Sequence, residues 1–181
     1  MHEKFLIALS VPVAAVITPA YAVDYLSVEE AQEVLFPEAQ NFVPLGVQLS
    51  REQMREIRSL SGSRQRESEP EIWRAEKNGA ATGWFLVDNV VGKHEFITYA
   101  VALSLDGRVL GIEVMSYRET HGGEIVDAEW RAFFKSKTLS DPFKLNDDIP
   151  NISGATLSCR NVTNGVKRLL ALQQVVLAST S

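Results

Sequence analysis

The chain has 181 residues, 45% of them hydrophobic and 23% charged, with a formal net charge of −5 at pH 7 and a single cysteine. That length suits one domain with one core, and the composition excludes collagenous, disordered and coiled-coil classes. The negative balance argues against a nucleic-acid partner, which needs a concentrated cationic face, and the lone Cys159 excludes an intrachain disulfide.

The first residues, MHEKFLIALSVPVAAVITPAYA, carry a weakly charged start at Lys4, an apolar run from Phe5 and small residues at Ala20 and Ala22, the pattern of a secretory signal and its cleavage site. Residues 1–22 are therefore expected to be a signal peptide, and the chain to be periplasmic or otherwise extracytoplasmic. The apolar run is short for a bilayer span, and Pro12 and Pro19 would bend it; an uncleaved anchor with membrane association is the alternative.

Residues 23–70 are expected to form a helical N-terminal segment. In Ser27 to Phe36, SVEEAQEVLF, Ser27 is a candidate N-cap with Glu30 three places on, the capping-box spacing. A second helix is predicted from Ser50, SREQMREIRSL, with Met54, Ile57 and Leu60 on one side. The polar run Ser61 to Pro70 lacks an apolar period and reads as a mobile loop. From Glu71 the texture changes to β-branched and aromatic runs separated by Asn-Gly and Asp-Gly turn signals, which predict strands of an antiparallel sheet. Gly111, inside the last run, marks a bulge or a close approach by another group. Glu124 to Phe134 has helical spacing, and Val162, Val166, Leu169, Leu170 and Val176 describe a final helix lying on the sheet. The fold class is thus α+β, an antiparallel sheet flanked by helices.

The stretch NISGATLSCRN, Asn151 to Asn161, gathers small and hydroxyl-bearing residues in one bend before that final helix. The first N–H groups of a helix lack intrahelical partners and its dipole is positive there, so a phosphate is well accommodated. Gly154 and Ala155 clear room for a bulky group against the backbone, with Thr156 and Ser158 at the mouth. Neither the Walker spacing nor a G-x-G-x-x-G fingerprint occurs, and on these residues alone the ordinary reading is a turn before a capped helix.

SGATLS, Ser153 to Ser158, ahead of a C-terminal helix resembles the FMN-binding domain of the RnfG and NqrC subunits of membrane-bound electron-transport complexes. The resemblance implies that a flavin transferase joins the Thr156 hydroxyl to the FMN phosphate as a phosphoester, with Ser153, Gly154, Ala155, Leu157 and Ser158 shaping the phosphate seat. A second stretch, YRETHGGEI, Tyr117 to Ile125, resembles the family's Glu-Thr-x-Gly loop, which implies that Glu119, Thr120, His121 and Gly122 line the flavin ring. It further implies an FMN-binding domain over 71–181 and an electron carrier, more than a stand-alone enzyme, that trades electrons with a membrane-bound or soluble redox partner. Three positions depart from the family pattern: Pro150 stands where an Asp is usual, Glu124 replaces the third loop glycine, and His121 stands where the loop usually has Pro or a similar residue. The first departure keeps a second class open, a periplasmic binding or assembly module with non-covalent flavin or none.

Other chemistries have weaker patterns. Glu119, His121, Glu124 and His94 could form a metal site, but no H-E-x-x-H or paired-cysteine spacing supports it. No G-x-S-x-G occurs, and Cys159 reads as a small residue packed inward. Trp73, Trp84 and Trp130 read as core, with Trp84 the one worth testing against a flavin. Lys167 and Arg168 read as solvent-facing charge, Arg160 as the better phosphate neighbour, and Asn151 and Asn161 each fit the N-x-[ST] sequon.

Overall fold

The computed structural model describes residues 23–178, so the signal-peptide and anchor readings of residues 1–22 lie outside the described residues. A short strand β1 (Val23–Asp24) is followed by helix α1 (Val28–Leu35), strand β2 (Asn41–Pro44) and helix α2 (Arg51–Ser61). Strands β3 (Glu71–Lys77), β4 (Ala80–Val91), β5 (Phe96–Leu103) and β6 (Val109–Tyr117) come next. After a 3₁₀ turn at Gly123–Val126 come the short helix α3 (Ala128–Ala132) and the long helix α4 (Thr156–Leu172), which runs into a π-helical turn at Gln173–Leu177. The strands form one antiparallel sheet in the order β1-β6-β5-β4-β3-β2, as the α+β reading expects. No helix among the described residues is long and apolar enough to cross a membrane.

Local sequence explains much of this. Asn78 and Gly79 both have positive φ, 52° and 76°, the conformation that a tight hairpin with right-twisted strands requires, and they join β3 to β4. Gly111 meets both of its predicted alternatives. The β5–β6 register shifts beside its partner Ala102, and a β-carbon at Gly111 would lie 2.9 Å from the Leu35 side chain of α1.

Alternation along the strands divides the core in two. Trp84, Leu86, Ile97, Tyr99, Val101, Ile112 and Val114 face α2 and α4, where Ile57, Cys159, Val162, Val166 and Leu169 meet them. Each large aliphatic or aromatic side chain buried this way contributes about 1.5–3 kcal/mol. The opposite face carries Phe85, Val87, Ala100, Ala102 and Met115 under α1. Its small residues let Ala31 and Phe36 sit close to the sheet.

Several expectations change. The segment 23–70 supplies, besides its two helices, both edge strands, β1 beside β6 and β2 beside β3. The helix expected over Glu124 to Phe134 breaks at Asp127 into the 3₁₀ turn and the five-residue α3. The polar run 61–70 is tied down along its length: Leu49 N–H donates to Ser68 O at 2.8 Å, and the Arg168 guanidinium reaches Arg64 O at 3.3 Å. Arg168 is not a solvent-facing charge. It is 8% exposed, because its position falls on the sheet side of α4, and it pairs with Asp88 of β4. The Asp88 carboxylate also accepts the Tyr99 hydroxyl, and burial, with Asp88 beside it, holds that phenol well above its usual pKa. Lys167 likewise turns inward to donate to Asp141 O at 3.0 Å.

Candidate functional site

The bend before α4 is built by backbone alone. Gly154 takes φ +82°, Ala155 N–H donates to Ile152 O at 3.1 Å, and Cys159 N–H donates to Ala155 O at 2.9 Å, the first bond of the helix. Ala155 occupies the N-cap position and has no side-chain oxygen to offer, so α4 begins without a side-chain cap. Thr156 is the first helical residue. Its side chain is exposed, as are Ser153, Gly154, Leu157 and Arg160, whereas Ala155 and Ser158 are buried.

Gly122 brings the loop after β6 onto this bend. It has φ +82°, and a β-carbon there would overlap Ala155 Cβ and sit 3.0 Å from the Tyr117 hydroxyl. The two backbones touch because neither residue has a larger side chain. His121 flanks the same contact, its Cβ 3.9 Å from where a β-carbon on Gly154 would be. The Tyr117 hydroxyl donates to His121 O at 2.5 Å and so pins the loop over the start of α4. Burial raises the Tyr117 phenol pKa; a hydrogen bond with Ser158 opposes that rise and nearby carboxylates add to it.

The two stretches singled out in the sequence therefore meet in space, at Gly122–Ala155 and at His121–Gly154. Their members are not equivalent. Thr120 and His121 are exposed beside the bend. The Glu119 carboxylate instead accepts the backbone N–H groups of His94 at 2.6 Å and Glu95 at 3.1 Å, bracing the β4–β5 turn. Burial pushes the Glu119 carboxyl up, but these N–H groups, with that of Lys93, bring it below the usual glutamate range. Among the described residues no three His, Cys, Asp or Glu side chains gather, so the metal alternative for this loop lacks a ligand cluster.

Sequence reasoning misses two contributors. Asn151 donates its amide to Thr156 Oγ1 at 3.2 Å, and its own buried Oδ1 has no partner, which leaves an acceptor beside the threonine. Tyr117, in sequence only the last residue of a strand, ties the loop to the helix. Asn151 lies inside the motif-bearing stretch but is legible there only as a sequon. Trp84 is fully buried and cannot meet a ligand at the surface. Asp148, near the position where an Asp is usual, is committed to Lys137 Nζ at 2.8 Å and the Phe143 and Lys144 N–H groups at 3.1 and 2.5 Å. At Pro150 the backbone carbonyl accepts Trp130 Nε1–H at 2.9 Å.

An uncapped helix start, an exposed hydroxyl on its first residue and small residues on either side fit a phosphate with a bulky group attached. Residues 92–171 match the FMN-binding domain family, a span holding both stretches. In Stutzerimonas stutzeri, the RnfG-type member of the ion-translocating oxidoreductase complex is 29% identical over 114 residues, covering 57% of this chain and 50% of that protein. The chain thus spans about half the length of the curated relative it matches. In structure it is similar to NqrC of Shewanella oneidensis, with a TM-score of 0.51 at 17% identity, over 80% of this chain and 73% of that one. That likeness shows a shared fold. Residues 92–171 are thus similar to the FMN-binding domain family, and FMN is the cofactor that this match indicates.

Proposed function

We propose that this chain is an exported electron-transfer protein holding one FMN through a phosphoester to Thr156. One observation carries the reading: within the matched span, the Thr156 hydroxyl is exposed at the first position of a 17-residue helix that has no side-chain cap. The free N–H groups of that turn accommodate phosphate charge, and Arg160, exposed four residues on, adds a cation nearby. Asn151 orients the threonine oxygen by its hydrogen bond. Gly154 and Ala155 keep the approach clear, and the loop bearing Thr120 and His121 flanks the flavin, held in place by Tyr117 and by Gly122 against Ala155. When bound, FMN would supply the electron-transfer chemistry, while these residues would hold its phosphate and orient it. A flavin transferase would perform the attachment, the Thr156 hydroxyl attacking the phosphoanhydride of a flavin dinucleotide so that the phosphoester forms and a nucleoside monophosphate leaves. A membrane-bound redox partner outside the cytoplasm is the expected source or recipient of electrons.

The test is co-expression of the full chain with a flavin transferase, followed by intact mass and flavin fluorescence after denaturation. Retention of one FMN per chain is expected, lost in Thr156→Ala and kept in Ser158→Ala, whose side chain is buried against Tyr117. A colourless wild-type chain of unmodified mass would favour the non-covalent binding or assembly module. Equal loss or equal retention in the two variants would reject Thr156 as the attachment point.

A further inference from the structure

A second polar site lies further along α4. A cavity of about 180 Å³ opens between α4, the end of β4 and the polar run 61–70, lined by Arg64, Arg66, Asn89, Asn161, Asn164 and Arg168 among others. It shares no residue with Ser153–Ser158 or with Glu119–Gly122. No acidic side chain lines it, although the chain as a whole is negative.

The three guanidiniums differ in their surroundings. Arg168 is buried and fixed by Asp88, which the Tyr99 hydroxyl holds in turn. This arrangement needs Gly165, where a β-carbon would overlap that hydroxyl. One charge there is balanced, yet the buried Arg168 Nε has no partner. Among the described residues, the side chains of Arg64 and Arg66 enter no ion pair or hydrogen bond. Two cationic forks are thus left uncompensated at the rim of a concave site, where low-dielectric walls concentrate the field. Guanidinium forks match the paired oxygens of carboxylate and phosphate, and Asn89 and Asn164 supply neutral donors, while Asn161 gives its amide to Val91 O at 2.6 Å.

We infer that this cavity binds a small dianionic oxyanion, a phosphate monoester or a dicarboxylate, between Arg64 and Arg66 with Arg168 as its fixed floor. The volume suits it, being room for about six waters or one small organic dianion. The run 61–70, held by the Leu49 N–H at Ser68 O and by the Arg168 guanidinium at Arg64 O, presents both arginines to that ligand.

Calorimetric titration of the full-length protein with inorganic phosphate and, separately, with succinate tests this. Saturable binding of either is expected and names the ligand class. The Arg64→Gln/Arg66→Gln double variant, altered only at exposed coil positions, should bind about tenfold or more weaker, since charge-assisted hydrogen bonds are lost. Its circular dichroism should match the wild type, and Thr156→Ala should bind the anion normally, which separates this site from the flavin reading. No saturable binding of either probe, or binding unchanged in the double variant, overturns the inference. Binding of hexaglutamate in place of both probes overturns it too, in favour of an acidic protein surface.

Discussion

Among the described residues, the three α-helices of eight or more residues begin in two ways. At α1, Ser27 accepts Glu30 N–H at 3.2 Å while the Glu30 carboxylate accepts Ser27 N–H at 2.7 Å. At α2, Ser50 and Gln53 do the same at 3.2 and 2.8 Å. At α4 the cap position holds a buried alanine and no side chain closes the helix. Capping boxes satisfy the donors that a helix start exposes; of these three, the helix that lacks one begins with Thr156, inside the span that matches the FMN-binding domain. Where a start is closed, its donors serve stability. Where it is open, they remain available to a ligand.

The sharpest way to break this contrast is at the contact that brings the loop onto the open end. Gly122→Ala drives a β-carbon into Ala155 Cβ in a left-handed conformation, and should cost about 2–3 kcal/mol through overpacking and backbone strain. Gly123→Ala, with nothing within 4 Å, should stay within about 0.5 kcal/mol of wild type. Urea unfolding of the pair measures the difference, and equal midpoints would show that the contact is dispensable. Next come the caps. Ser27→Ala and Ser50→Ala should each lose about 1 kcal/mol and leave flavin retention untouched. Thr156→Ala, which gives up one exposed hydrogen bond, should lose the flavin with a smaller stability change. A cap variant that lost flavin would blur the distinction. Tyr117→Phe removes the donor to His121 O and should cost about 1 kcal/mol, with faster amide exchange confined to the loop after β6.

The smallest effect is a pH dependence. The folded Glu119 carboxyl lies below its usual range, so its contribution is fully present above the ordinary glutamate pKa and is lost as pH falls through the lowered folded value. Wild-type stability should therefore drop more than that of Glu119→Gln between neutral and acid pH, read from urea midpoints.

Much of the sheet is legible in the sequence because its signals are local. The β3–β4 hairpin depends on Asn78–Gly79 and on alternation along each strand, both readable from neighbouring residues. The capping box at Ser27 is equally a four-residue pattern. The β1 and β2 edges escape a sequence reading because two and four residues carry too little periodicity to announce a strand; they exist because β6 and β3 offer unpaired edges. At the site, SGATLS and the loop after β6 are visible as stretches, but not the Asn151 bond to Thr156 or the role of Tyr117.

By itself, then, the order of residues determined the four long antiparallel strands, the capped starts of α1 and α2 and the two motif stretches, since each follows from side chains and turns within a few positions. The tertiary structure alone decided that Arg168 is buried against Asp88 instead of solvated, and that Gly122 rests on Ala155. Those outcomes depend on groups that meet from distant parts of the chain. Burial, charge pairing and steric contact are properties of that meeting, and no local pattern encodes them.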